Sequence, residues 1–223
     1  RGITKGSDIL YYLENDIRYL HNPFLFNTME DAVDRILAAK DEGEKVLIFG
    51  DRDVDGITST TLLYQYLLDI NIDVRWQVPC GDDPYGLTMQ AVDAFAKDYG
   101  TLIITVDCGI SNNAEIAYAA ELGIDVIITD HHNAPGELPD PAIIVNPKIE
   151  GIGYPFKDIS GCAVAYKLVT ALRFSQSKLY KQEICLLNVR PLNESYIVEG
   201  VKVVNGCEIE RIAETIIPGG LSF

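Results

Sequence analysis

The chain has 223 residues, 48% of them hydrophobic, so it can bury a sizeable core and does not read as a disordered polypeptide. Its 33 acidic and 18 basic residues leave a net charge of −15, which argues against a protein that grips nucleic-acid backbones with Lys and Arg alone. No apolar run approaches the roughly 18 residues that cross a bilayer, so no membrane partner is expected.

Arg1 to Gly6 lead into mixed polar sequence, and no signal peptide is expected there. Residues 7–20 carry Ile9, Leu10, Leu13, Ile17 and Leu20 at helical spacing. A second helix is predicted over residues 28–41, with Thr28 as N-cap, Asp31 three residues on, and Ala32, Ile36 and Leu37 on one face. The texture then changes. Residues 45–50 form a short apolar strand ending at Gly50, followed by a helix over 57–68 and a strand over 72–78. A helix over 87–97, a strand over 102–106 and an alanine-rich helix over 114–122 come next. Strands over 125–129 and 142–145 and a helix over 164–172 complete the series. Continuous apolar strands alternating with helices predict an α/β fold, a parallel sheet flanked by helices on both faces. Ligands of such sheets bind beyond the carboxyl ends of the strands.

Beyond Phe174, residues 195–204 read as extended, and Asn205-Gly206 is a hairpin signal. The expected organisation is an N-terminal helical segment packing on the core (1–44), an α/β domain (45–175) and the incomplete start of a further or inserted β-containing unit (176–223). Because the chain lacks an initial Met and stops at Gly219-Gly220-Leu221-Ser222-Phe223, it is expected to be a fragment of a longer protein. Cys80, Cys108, Cys162, Cys185 and Cys207 show no Cys-x-x-Cys spacing, so free thiols in a reducing cytoplasm are expected.

Three motifs fall at strand ends. In Gly50-Asp51-Arg52-Asp53-Val54-Asp55-Gly56, alternate carboxylates of an extended segment would face one side, about 6.5 Å apart. Like charges this close are costly unless cations sit on them. A calcium loop is the competing reading, but its twelfth position, counted from Asp51, is Leu62 rather than Glu. The second motif is Val106-Asp107-Cys108-Gly109-Ile110-Ser111, where Ser111 can cap the next helix and Asp107 ends a buried strand. The third, Thr129-Asp130-His131-His132, holds two of the three histidines in the chain. Imidazole beside carboxylate suits manganese, iron or zinc, whereas magnesium prefers all-oxygen sites. Together they suggest aspartates bridging two ions about 3.5–4 Å apart, an arrangement that hydrolyses phosphate esters.

These residues resemble the DHH phosphoesterase superfamily and, within it, the RecJ-type single-stranded-DNA-specific exonucleases. Further matching pieces are Ile57-Thr58-Ser59-Thr60, Tyr85-Gly86-Leu87, Asn146-Pro147-Lys148, Tyr154-Pro155-Phe156 and Ile159-Ser160-Gly161, and the likeness spans about residues 45–172. It implies a manganese- or magnesium-dependent, two-ion 5′-to-3′ exonuclease acting on single-stranded DNA in recombination and repair, alongside replication or repair proteins. It implies Asp51, Asp53, Asp55, Asp107, His131 and His132 as metal ligands, with Asp107 and His132 catalytic and Asp130 supporting the histidines. Ser160 and Gly161 either offer backbone N–H groups to a phosphate or form an ordinary helix cap.

Three departures from the family pattern stand out. A further Asp motif expected downstream of Gly161 is missing, so the site is expected to be incomplete. The loop Cys80-Gly81-Asp82-Asp83-Pro84 lacks a basic residue. The family's carboxy-terminal substrate-binding domain is also missing. Two other readings remain: a relative acting on short oligonucleotides, cyclic dinucleotides or pyrophosphate, disfavoured by Phe49 where those carry His, and an inert replication scaffold.

Overall fold

Five short strands rich in Val and Ile pair in parallel. They are β1 (Lys45–Gly50), β2 (Asp73–Gln77), β3 (Leu102–Val106), β4 (Asp125–Thr129) and β5 (Ile143–Val145), in the order β2-β1-β3-β4-β5. The computed structural model describes residues 19–218 together with Gly6, Ile9 and Leu13; the helix predicted over 7–20 lies almost wholly outside the described residues. Helices α1 (Met29–Glu42), α2 (Val54–Asp69), α3 (Met89–Lys97), α4 (Asn113–Glu121) and α5 (Gly161–Ser175) cover the sheet.

Alternation along the strands divides the core in two. Val46 and Ile48 of β1 join Ile36, Leu63, Leu67 and Leu168 of α1, α2 and α5, whereas Leu47 and Phe49 join Val92, Phe95 and Ile116 of α3 and α4. Burying each such side chain contributes about 1.5–3 kcal/mol, so both faces of the sheet are anchored. The chain leaves β1 to reach β2 on one side, and β3 lies on the other. That reversal opens a crevice at the carboxyl ends of β1 and β3, where ligands of such sheets bind.

The predicted strands fall within two residues of those observed, but several helix starts differ. The α2 helix begins at Val54 rather than Ile57, because Asp53 already caps it. Thr28 occupies the N-cap position of α1 without capping it; its hydroxyl donates to the Ile144 carbonyl at 2.6 Å and ties the helix to β5. The α4 cap position is Asn112, and Ser111 is exposed.

A second, antiparallel sheet follows, with β6 (Ile184–Leu192), β7 (Ser195–Val204) and β8 (Cys207–Pro218) in sequence order. The sequence reading found β7 and its turn but not β6. Asn205 and Gly206 both have positive φ, 51° and 75°, as a two-residue hairpin turn requires. This turn is docked on the core: Asn22 donates to the Asn205 carbonyl at 2.9 Å, and Asn205 donates to Glu30 at 2.9 Å. No helix among the described residues is long and apolar enough to cross a membrane.

Candidate metal centre

The acidic string after β1 is not an extended wall. Asp51 directly follows the strand and is buried, Asp53 is the N-cap of α2, accepting the Gly56 N–H at 2.9 Å, and Asp55 lies in the first helical turn. Gly56 is needed for packing, since a Cβ there would lie 2.7 Å from the Asp51 Cα. The helical turn sends Asp55 in a different direction from its neighbours. Its carboxylate accepts the first N–H groups of α5, from Gly161 at 2.8 Å and Cys162 at 2.7 Å. A negative charge at a helix N-terminus is favourable there.

Asp107 leaves β3 with φ 58°, a left-handed conformation that Asp tolerates better than most residues. Its N–H donates to the Thr129 carbonyl at 2.9 Å, and its side chain is 1% exposed. Burial pushes its carboxyl up to about 8, helped by the negative charges of Asp55, Asp53, Asp130 and Asp51. Asp107 Oδ1 lies 3.0 Å from His131 Nε2, yet it is buried without a hydrogen bond of acceptable geometry.

The tautomers explain that contact. His131 Nδ1 lies 2.9 Å from the Ile159 carbonyl, which only accepts, so Nδ1 carries the hydrogen and Nε2 presents a lone pair. Two lone pairs this close require a proton or a cation between them. His132 Nδ1 lies 2.8 Å from Asp130 Oδ1, which likewise leaves Nε2 free to ligate.

Asp130 itself is saturated. Its oxygens accept the backbone N–H groups of His131, His132 and Ile110 at 2.7, 3.1 and 3.0 Å. It orients the His132 ring, as expected, but the His131 ring is held by Ile159 instead. The buried Asn146, from the Asn146-Pro147-Lys148 string, fixes the His132 carbonyl at 2.9 Å.

Two trios of side chains bring ligand atoms within 4.8 Å of one another: Asp107 with His131 and His132, and Asp51 with Asp53 and Asp107. Asp107 belongs to both. Asp55 belongs to neither; its Oδ2 lies 3.7 Å from His131 Nε2. One trio mixes nitrogen and oxygen and the other is all oxygen, a donor set that suits manganese. The orphaned Oδ1 of Asp107 marks the point where a cation fits.

Ser160 forms the ordinary cap, accepting the Ala163 N–H at 3.2 Å. Of the two amides that the sequence reading offered to a phosphate, that of Gly161 is occupied by Asp55. Gly161 has a different role, because a Cβ on it would lie 2.7 Å from the Cβ and Cγ of Asp107.

Sequence reasoning missed two contributors. The Tyr85 hydroxyl approaches the Asp107 carbonyl at 3.3 Å and His132 Nδ1 at 3.4 Å. Burial, its largest cause, raises the Tyr85 phenol above its usual range. Asn112 holds the turn beneath Tyr85, accepting the Leu87 N–H at 3.1 Å and donating to its carbonyl at 3.0 Å. Tyr85-Gly86-Leu87 was visible only as part of a resemblance, and Asn112 carried no signal. Arg52 is spent on the basic-free loop, donating to the carbonyls of Gly81 and Asp83 at 2.8 and 2.7 Å.

Residues 45–189 match the family model described as DHH family, N-terminal domain. Among curated proteins, the single-stranded-DNA-specific exonuclease RecJ of Bacillus subtilis is 40% identical over 173 residues, 77% of this chain and 22% of that protein. The exonuclease of the same name from Salmonella typhimurium is 37% identical over 174 residues, 77% of this chain and 30% of that protein. A crystal structure of exonuclease RecJ bound to manganese superposes with a TM-score of 0.61 at 33% identity, covering 67% of this chain and 38% of that one. RecJ from Thermus thermophilus in complex with Mn2+ gives 0.58 at 32% identity, covering 68% and 21%. The chain thus spans less than a third of the length of these two curated relatives.

Proposed function

We propose that this chain, which belongs to the DHH family, hydrolyses phosphodiester bonds of single-stranded DNA with two manganese ions. Asp107, His131 and His132 would hold one ion, and Asp51, Asp53 and Asp107 the other. Ions held by these residues would supply a lowered pKa for water and charge neutralisation at the phosphodiester. The protein's own contribution is preorganisation. Asp130 and the Ile159 carbonyl fix the two imidazole tautomers, Asn146 fixes the His132 backbone, and Asp55 joins α2 to α5 behind the site.

One observation carries this reading: the shared, buried Asp107, whose Oδ1 faces the bare Nε2 of His131 without a hydrogen bond. Support for the substrate comes from the likeness to RecJ exonucleases, whose names state single-stranded DNA. We assign the chemistry to a unit spanning 45–175, with the β6–β8 sheet as a separate unit, and a reducing cytoplasm suits the five free thiols.

The test is calorimetric titration with Mn2+, followed by digestion of labelled single strands, dinucleotides and pyrophosphate. Two ions per chain and release of nucleotides from single strands are expected, both lost in Asp107→Ala. No Mn2+ binding would refute the metal centre; cleavage of dinucleotides or pyrophosphate alone would refute the substrate.

A further inference from the structure

The outward face of α2 and the free edge of the sheet enclose an open cleft of about 480 Å³. Ile57, Thr61, Tyr64 and Gln65 line it from the helix, and Trp76 and Val78 from the other side. Strand β2 is an edge strand, and Trp76 is paired opposite Ile48, which points to the α2 side. Trp76 nevertheless remains 54% exposed.

The cleft continues the metal centre. Ile57 lies one helical turn beyond Asp53, with its N–H donating to the Asp53 carbonyl at 2.9 Å. Residues four apart share a helix face, so Ile57 and Thr61 form one stripe that starts a turn beyond the Asp53 cap and runs into the cleft. No residue lining the cleft is charged, in a chain whose net charge is −15.

We propose that this cleft is a nucleobase-binding subsite, in which Trp76 stacks a base of the strand whose phosphodiester lies at the metal centre. The proposal rests on the single-stranded-DNA reading above and deepens it. A polyanion approaching an acidic protein is repelled wherever cations do not intervene, so it must be held through its uncharged parts. Bases have π-faces irrespective of sequence, and stacking on an aromatic ring needs no counter-charge. An uncharged cleft with an exposed indole, one turn from the acidic trio, meets that need.

Trp76 is the single tryptophan of the chain, so its fluorescence reports on the cleft directly. The chain is titrated in Mn2+ with a phosphorothioate-linked oligothymidylate, to limit cleavage. Saturable quenching is expected. With binding followed by the anisotropy of a fluorescein-labelled strand, because these variants lack the tryptophan, Trp76→Ala should weaken binding about tenfold, within the range for removing one stacking ring, and Trp76→Phe should recover most of it. An abasic strand of equal length should bind the parent and Trp76→Ala alike. Undiminished binding by Trp76→Ala, or an equal loss on abasic strands, overturns the subsite while leaving the metal centre and substrate standing. A parent chain that binds Mn2+ but no oligonucleotide overturns both the substrate reading and the subsite.

Discussion

Replacing Asp107 with Asn should change stability in opposite directions with and without manganese. The Asp107 carboxyl keeps its proton up to about 8 in the fold, against about 3.9 in an unfolded chain. Between those values the folded state binds more protons than the unfolded one. Its stability is therefore highest below the unfolded value and declines as pH rises through the window. At pH 7 about three pH units of that window have been crossed, at 1.36 kcal/mol each, so the cost is on the order of 4 kcal/mol. Asparagine has the same shape, carries no charge and tolerates the φ of 58° at this position. Asp107→Asn should thus stabilise the metal-free protein by a few kcal/mol at pH 7 and by little near pH 4. In manganese the order should invert, because two ions at a hundred times Kd stabilise the parent by about 2.7 kcal/mol each, together more than that cost, and the variant loses the shared ligand. Urea denaturation in EDTA and in saturating Mn2+ measures both arms. If the variant were no more stable than the parent at pH 7 in EDTA, the electrostatic reasoning would be wrong.

Three further outcomes follow from the same geometry. Manganese binding at pH 7 should release the Asp107 proton and that release should vanish above about pH 9, which calorimetry in buffers of different ionisation enthalpy detects. Gly161→Ala should cost about 1–3 kcal/mol through overpacking against Asp107 and should abolish tight Mn2+ binding; a variant that binds normally would show the contact to be soft. Asn112→Ala strands the buried N–H and carbonyl of Leu87, at about 1–3 kcal/mol each, and should lower the urea midpoint clearly, whereas an unchanged midpoint would mean that the turn stands without the clamp.

The parallel sheet was legible because each strand is a short run of β-branched and apolar residues bounded by polar turns, a pattern set by burial on both faces. The centre was legible wherever a candidate ligand lies within three residues of a strand's carboxyl end, as Asp51, Asp107, His131 and His132 do. The extended geometry expected of the acidic string fails at Asp55, because alternation on an extended chain does not survive the helical turn that Asp53 initiates. The roles of Gly161 and Asn112 were hidden for a different reason. Each acts across more than 20 residues of sequence, on Asp107 and Leu87 respectively, and local pattern says nothing about such contacts. β6 escaped because Pro191 and Arg190 interrupt its apolar run, and its partner β7 supplies the order it lacks.

The strand register has a consequence for how the molecule reaches its final shape. Gly50 pairs with Val106, and Val106 with Thr129, so the residues just before Asp51, Asp107 and Asp130 stand in one row across the sheet. A slip of one residue in any strand would displace its ligand by about 3.3 Å and turn it to the opposite face. Such a mispaired chain would keep most of its apolar burial but could not assemble the two trios. Cation binding would therefore be a check on alignment: among compact forms of similar core, manganese held by the two proposed trios would selectively stabilise the one whose strands are in step.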